Sequence, residues 1–307
     1  MSKSMNNQYI ESLIQLGRED ERVITLDADL SKSSRTNQFK NKFPNRSVNC
    51  GIAEQNMTGI AGGLAYCEKI PFIHSIASFV VRRNYDQLYQ SIALPNLNVK
   101  VVGMYAGLNG EDGSSHQIIN DIGMMCTLPN FKVFVPSNAY EVKEIMKKIL
   151  NIGPAYLRLS RSFNRRNVEN YPVEIGKLSE IKQGKDVALI TTGIMFPCTL
   201  NLSNYLENDG ISTGIYSCHS IKPFDENKII ELSKNVGKVV TLEEHLPEFG
   251  LSSLINNVLA EKNPIKTLNI GVKNLCSGSG KLEDLFKHNE LMAKQNFKKV
   301  KNYIYLK

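Results

Sequence analysis

The residues of this chain that could do chemistry are spread over its first half and not gathered in one motif. Glu54 stands where a β-type run, Val48-Asn49-Cys50, breaks at Gly51 and a helix with many glycines and alanines begins. A carboxylate at a strand-to-helix switch lies at the carboxyl end of a sheet, where open α/β folds place their ligands. The small residues after it let the helix approach something closely. That segment reads as a device for holding one acid near a flat or bulky partner. The other candidates are Asp29 and Ser33 after an early strand, Phe79 and Arg82, and the loop Glu111-Asp112-Gly113-Ser114-Ser115-His116-Gln117.

Taken singly, each has an ordinary explanation. Glu54 could be an N-terminal helix acid stabilised by the macrodipole. His116 could cap the next helix, and Phe79 could be core. Arg82 and Arg83 could be a solvated face, and Asp112 a turn residue. Catalysis would need several strand ends to converge.

The elements that must position them alternate in type. The spacing predicts a helix over 5–16 ended by Gly17, then strands over 22–27, 71–77, 99–104, 132–135 and 155–160. Helices are expected from Glu54 and over 85–93, 117–126 and 140–150. Each strand is nearly all apolar, which implies a mainly parallel sheet covered on both faces. After a polar, proline-containing stretch, strands over 186–191, 212–217, 238–242 and 265–270 alternate with helices again. The expected fold class is α/β with two domains, each a mainly parallel sheet flanked by helices: 1–163, a linker 164–185, and a smaller domain 186–307.

At 307 residues the chain is long enough for two cores. Its apolar runs are too short to span a bilayer, and the N-terminus carries no apolar stretch of signal-peptide length. No membrane association and a cytoplasmic location are therefore expected. Six cysteines without a CxxC pair read as free thiols in a reducing compartment. Five dispersed histidines give no metal signature. Much of the formal charge of +7 lies in 281–307, where seven lysines face Glu283, Asp284 and Glu290. No basic stripe interleaves with aromatics, so a solvated helix is expected and no nucleic acid. Dinucleotide, P-loop and serine-hydrolase signatures are absent.

Four ordered motifs carry a resemblance. GIAEQNMTGIAGGLA, SFVVRRNYDQL, GEDGSSHQ and YLRLSR resemble the pyrimidine-binding domain of transketolases. Related motifs occur in deoxyxylulose-phosphate synthases and, more weakly, in β subunits of pyruvate dehydrogenase-type enzymes. DVALITTG, the IKPFD segment and the EEH after 238–242 are similar to the transketolase C-terminal domain, so the resemblance covers about the whole chain.

The resemblance implies thiamine diphosphate with Mg²⁺. Glu54 would bond N1′ of the aminopyrimidine and favour the tautomer whose imine removes the thiazolium C2 proton. Phe79 would stack on that ring, and the planar guanidinium of Arg82 would stack beside it. Leu30 and Ile52 would hold the cofactor bent, with Asp29 near the thiazolium. His116 would meet the substrate's first hydroxyl and carbonyl, and Asp112 would read a hydroxyl configuration. Ser33 and Arg161 would contact the distal phosphate. Glu54 and His116 are the catalytic residues implied.

Two departures qualify the match. Met104 stands where many transketolases have a phosphate-binding histidine, so the distal anion is held differently or is a sulfonate or modified sugar. The diphosphate-binding domain, with its Mg²⁺-ligating GDG…N motif, has no counterpart here. The resemblance therefore implies the C-terminal subunit of a split transketolase, active only with an N-terminal subunit that supplies the diphosphate site and the metal ligands. An α2β2 assembly is expected, self-dimerised along the Glu54 helix. The expected reaction moves a two-carbon ketol unit from a ketose phosphate or related anionic ketose to an aldose. The alternatives are a pyruvate–aldehyde condensation of the deoxyxylulose-phosphate synthase kind and a non-catalytic assembly subunit.

Overall fold

Apolar runs bounded by polar turns fold into two sheets with helices on both faces. The computed structural model describes residues 3–161, 168–273 and 278–306. In the first half β1 (Val23–Asp27), β2 (Ser47–Asn49), β3 (Ile70–Ile76), β4 (Lys100–Met104), β5 (Lys132–Phe134) and β6 (Ala155–Leu159) pair in parallel in the order β5-β6-β4-β3-β1-β2. Every residue of β4 and β6 is buried, as strands covered on both faces must be. In the second half β7 (Ser179–Lys182), β8 (Val187–Thr191), β9 (Thr213–Ser217), β10 (Ser220–Lys222), β11 (Val239–Leu242) and β12 (Thr267–Ile270) follow. Five of these make the second sheet, ordered β12-β11-β8-β9-β7, with β7 antiparallel to β9. The class is α/β, as expected.

Two strands cross the expected division. β10 leaves the second half and adds antiparallel to β5, which makes the first sheet seven-stranded. β7 lies inside the stretch expected to be a linker. It is a polar edge strand, buried only at Ser179, so it lacks the apolar run by which buried strands are recognised. Residues 162–167 of that region lie outside the described residues.

The first helix runs Met5–Glu19 and is not ended by Gly17. Gly17 is where the ring of Phe39 packs: a Cβ there would lie 2.6 Å from the ring. The helix expected over 117–126 is shorter, Asp121–Thr127, because the preceding residues belong to the loop after β4.

The two halves share their cores. Met104 and Leu159 belong to one buried cluster with Leu242 and Leu246, and Ile122 and Val135 to another with Ile190 and Leu251. Each such side chain contributes about 1.5–3 kcal/mol on burial, so the halves are packed together and not merely tethered. Because β1, β2, β3, β4 and β6 are parallel, the residues after all five lie at one end of the sheet. The candidate residues follow those strands.

Candidate active site

Glu54 opens the helix Glu54–Tyr66 and is only 3 % exposed. A buried carboxylate needs partners. Ser75, from β3, donates its hydroxyl to Glu54 Oε1 at 2.9 Å. Arg83 Nη1 donates to Oε2 at 3.2 Å and to Oε1 at 3.4 Å. The same guanidinium stacks on Phe79, with Cζ 3.7 Å from the ring centroid. The edge of Phe79 meets the ring of His116 at a centroid distance of 5.1 Å and an angle of 64°. Beside Glu54 opens a cleft of about 550 Å³ lined by Ile52, Ala53, Gln55, Asn56 and Arg83. Glu54, Phe79 and His116 are thus brought together from three separate segments.

Arg83, and not the expected Arg82, lies beside Phe79. Arg82 turns away: its Nη1 donates to the Gln117 carbonyl and its Nη2 to Asn120 Oδ1, both at 3.2 Å. Arg83, four residues after Phe79, lies on the same helical face and reaches Glu54. Ser75 was also missed, since a serine inside an apolar strand carries no signal of its own.

These residues fit an aminopyrimidine. A flat, delocalised group that stacks on Phe79 and points N–H donors at Glu54 already occupies the place, namely the Arg83 guanidinium. It marks where a flat ring could stack on Phe79 with one ring nitrogen sharing a proton with Glu54. Its side chain is 46 % exposed and has solvent to move into.

The loop after β4 is closed at its base. Gly107 N–H donates to the Ile118 carbonyl at 3.0 Å, and Ile118 N–H to the Gly107 carbonyl at 3.1 Å. His116 is half-buried, with Nδ1 3.0 Å from Ser115 Oγ. Asp112 is exposed at the end of the turn Gly110–Asp112 and makes no hydrogen bond or ion pair among the described residues.

On another side Tyr105 links two expected residues. Its hydroxyl donates to the Ser33 carbonyl, and the Arg161 guanidinium lies 4.2 Å from its ring centroid. Met104 is buried, so its side chain does not line that surface. Asp29 is exposed and exchanges hydrogen bonds with Asn49, at 3.2 Å from its N–H and 3.0 Å to its Oδ1. Leu30 is half-buried beside it, and Ile52 is 77 % exposed at the cleft.

Behind the loop lies a buried charge cluster shared by both halves. Arg158 Nε donates to Asp121 Oδ2 at 2.9 Å, and Arg158 Nη1 to Glu244 Oε2 at 3.3 Å. Burial alone would lower the guanidinium, but Asp121 and Glu244 hold it above its ordinary value. Burial pushes Glu244 up to about 7 against the pull of Arg158, and Glu243 up to about 7 against three bonds from Leu251 and Ser252. Burial likewise brings His245 down to about 4. Among the described residues no group of three or more His, Cys, Asp or Glu is placed to hold a metal. No helix among them is long and apolar enough to cross a membrane.

The fold is a parallel α/β sheet that presents a buried glutamate beside an aromatic and a histidine, backed by a second α/β half. Residues 2–166 match the family description "Transketolase, pyrimidine binding domain", and residues 176–295 match "Transketolase, C-terminal domain". The chain belongs to the transketolase family. It is 39% identical over 292 residues to a "Putative transketolase C-terminal section" of Methanocaldococcus jannaschii, covering 93% of this chain and 92% of the relative. It is 35% identical over 286 residues to a "6-deoxy-6-sulfo-D-fructose transketolase subunit" of a Clostridium species, covering 92% and 88%. A solved "Split gene transketolase, inactive beta4 tetramer" superposes with a TM-score of 0.91 at 37% identity, over 100% of both chains. Membership implies thiamine diphosphate as the cofactor.

Proposed function

We propose that this chain is the pyrimidine-binding subunit of a two-chain transketolase. It would move a two-carbon ketol unit from an anionic ketose to an aldose, together with a partner subunit that holds the diphosphate and Mg²⁺. The observation that carries the proposal is the chain of contacts from Glu54 through the Arg83 guanidinium to Phe79 and on to His116. The likeness over the full length to a split-gene transketolase supports the need for a partner. Labour would divide between a pyrimidine-binding domain, 1–163, and a C-terminal domain, 186–307, with β7 of the intervening 164–185 added to the second sheet. A cytoplasmic location suits the free thiols of Cys50, Cys67, Cys126, Cys198 and Cys218.

Thiamine diphosphate, when bound, supplies the carbon nucleophile that carries the two-carbon unit. Glu54, steadied by Ser75, holds a proton between its carboxylate and the pyrimidine N1′. Phe79 would offer its face to that ring, and Arg83, half exposed, would leave Glu54 to admit it. Leu30 and Ile52 supply apolar walls, with Asp29 near them. His116 exchanges a proton with the hydroxyl or carbonyl oxygen at the reacting end of the sugar, and Asp112 orients a hydroxyl. Arg161, set by Tyr105 against Ser33, pairs with the distal anion.

The test is reconstitution. Mixed with a subunit carrying the diphosphate domain, the chain is expected to bind thiamine diphosphate by calorimetry and to transfer ketol units from D-xylulose 5-phosphate or 6-deoxy-6-sulfo-D-fructose. A complex that bound no cofactor and used neither donor would refute the proposal. The Glu54→Ala complex is expected to be inactive.

A further inference from the structure

The loop carrying Asp112 and His116 is fastened to the second half of the chain. Leu108 N–H donates to Glu244 Oε1 at 2.7 Å, Leu246 N–H to the Ile119 carbonyl at 2.9 Å, and Gln117 Nε2 to the Gly278 carbonyl at 2.9 Å. The helix that follows is joined as well, through Ile122 N–H and His245 Nε2 at 3.2 Å. Of these contacts the Glu244 one is the least expected. Arg158 already has Asp121 as its counter-ion, and a second buried carboxylate is unfavourable unless its position serves something. That carboxylate lies against Gly107, where a Cβ would come within 2.0 Å of Oε2. Gly107 has φ of +86°, so both the space and the backbone there require glycine. Gly107 and Ile118 close the loop, and Arg158 Nη2 also reaches the Glu244 carbonyl at 3.1 Å.

We propose that Glu244 is a positioning residue for the substrate loop. From the second half of the chain it fixes the Gly107–Leu108 end of the loop and so sets where His116 stands against Phe79. One oxygen takes the loop's amide, the other takes Arg158, and neither reaches the cleft beside Glu54. The second half therefore acts on the first through the loop and not through the cofactor's acid. This rests on the proposed function for the role of His116, but the fastening itself does not.

Two measurements separate the claims. Hydrogen exchange on the full chain reads the fastening: in Glu244→Leu, amides of 107–120 are expected to exchange about tenfold faster or more, with β8 and β9 unchanged. In the reconstituted complex, KM for D-xylulose 5-phosphate is expected to rise about tenfold while the thiamine diphosphate Kd stays within about twofold, because only the loop is misplaced. Glu244→Gln keeps a carbonyl acceptor for Leu108 and is expected to restore most of both, and it carries the test if the leucine variant does not fold. Unchanged loop exchange in both variants would overturn the proposal. So would a parallel loss of cofactor affinity and KM, the mark of a general structural role. A wild-type complex without ketol transfer would refute the proposed function, while loop exchange would still decide the fastening.

Discussion

Replacing Glu54 by glutamine separates the acid's chemistry from its contribution to the fold. Glutamine keeps the shape and a carbonyl oxygen, so the Ser75 hydroxyl, which is fully buried, keeps an acceptor. What is lost is charge. The Arg83 contact is long, at 3.2 Å and 3.4 Å, and its arginine is half exposed, so solvent screening limits its worth to about 0.2–1 kcal/mol. Converting the Ser75 bond from charge-assisted to neutral costs about 1 kcal/mol more. The fold should therefore lose about 1–2 kcal/mol at most, a few degrees of melting temperature or less.

Turnover should fall far more. A positioned proton-transfer group contributes about 10²- to 10⁴-fold, equivalent to about 3–5 kcal/mol of barrier. The assay is ketol transfer by the reconstituted complex at saturating thiamine diphosphate, beside thermal melting of the same preparations. Glu54→Ala provides the contrast: it strands the Ser75 hydroxyl and should cost about 1–3 kcal/mol of stability as well. A glutamine complex with more than a tenth of wild-type turnover would refute the proton-holding role. Inactivity accompanied by a collapse in melting temperature would assign Glu54 to the fold instead.

The adjacent arginines should behave differently. Arg83→Ala, which removes the group facing both Phe79 and Glu54, should change thiamine diphosphate affinity by several-fold with little effect on melting, as a contact worth about 0.5–1 kcal/mol implies. Arg82→Ala should leave that affinity alone and raise the donor KM, because its bonds go to Gln117 and Asn120; calorimetry and initial rates would expose the reverse pattern. The Glu244 carboxyl, at about 7 folded against 4.5 for a free glutamate, contributes stability that is complete below pH 4.5 and lost as pH rises through 7. The charged groups acting on it are Arg158 and Asp121. Urea unfolding of wild type minus Glu244→Gln should therefore drop by up to about 3 kcal/mol from pH 4.5 to 8, and a flat or rising difference would rule out the raised carboxyl. Arg158→Met leaves Asp121 and Glu244 buried without their cation and should cost about 3–5 kcal/mol, with lysine a poor rescue because the fork is lost; a loss under 1 kcal/mol in urea would contradict this.

What could be read in the sequence followed from local pattern. Strands such as β4 and β6 are short apolar runs, and the glycine–alanine helix announces itself after Glu54. Phe79 and His116 were found as members of ordered motifs, though only the fold puts their rings 5.1 Å apart. What could not be read was set by helix phase or by distance along the chain. Arg82 and Arg83 are equivalent in composition, and only the turn of the helix decides which faces Glu54. β10 is a three-residue strand whose partner β5 lies in the other half, and no periodicity reports a pairing of that kind. Glu244 meets Arg158 across 86 positions. The EEH tripeptide marked the region without indicating that one of its acids grips the loop after β4.

The cleft beside Glu54 also shows which wall this chain supplies. Ser75 and Phe79 stand behind it, one bonded to Glu54 and the other stacked on Arg83, rooted in β3 and the helix Ala77–Arg82. The cleft itself is lined by Ile52, exposed at 77 %, and the exposed Gln55 and Asn56. A carboxylate that must hold a proton on a cofactor nitrogen works best where water is excluded, since its interaction is far weaker at the dielectric of water. An apolar side chain left in solvent at such a place gains about 1.5–3 kcal/mol when covered. Both needs are met by one event, the arrival of a second surface over Ile52. On the proposed function, that surface is the subunit that brings the diphosphate end of the cofactor. Binding the partner and sharpening Glu54 would then be the same step, and the Arg83 guanidinium, half in water, is the group with least to lose when it happens.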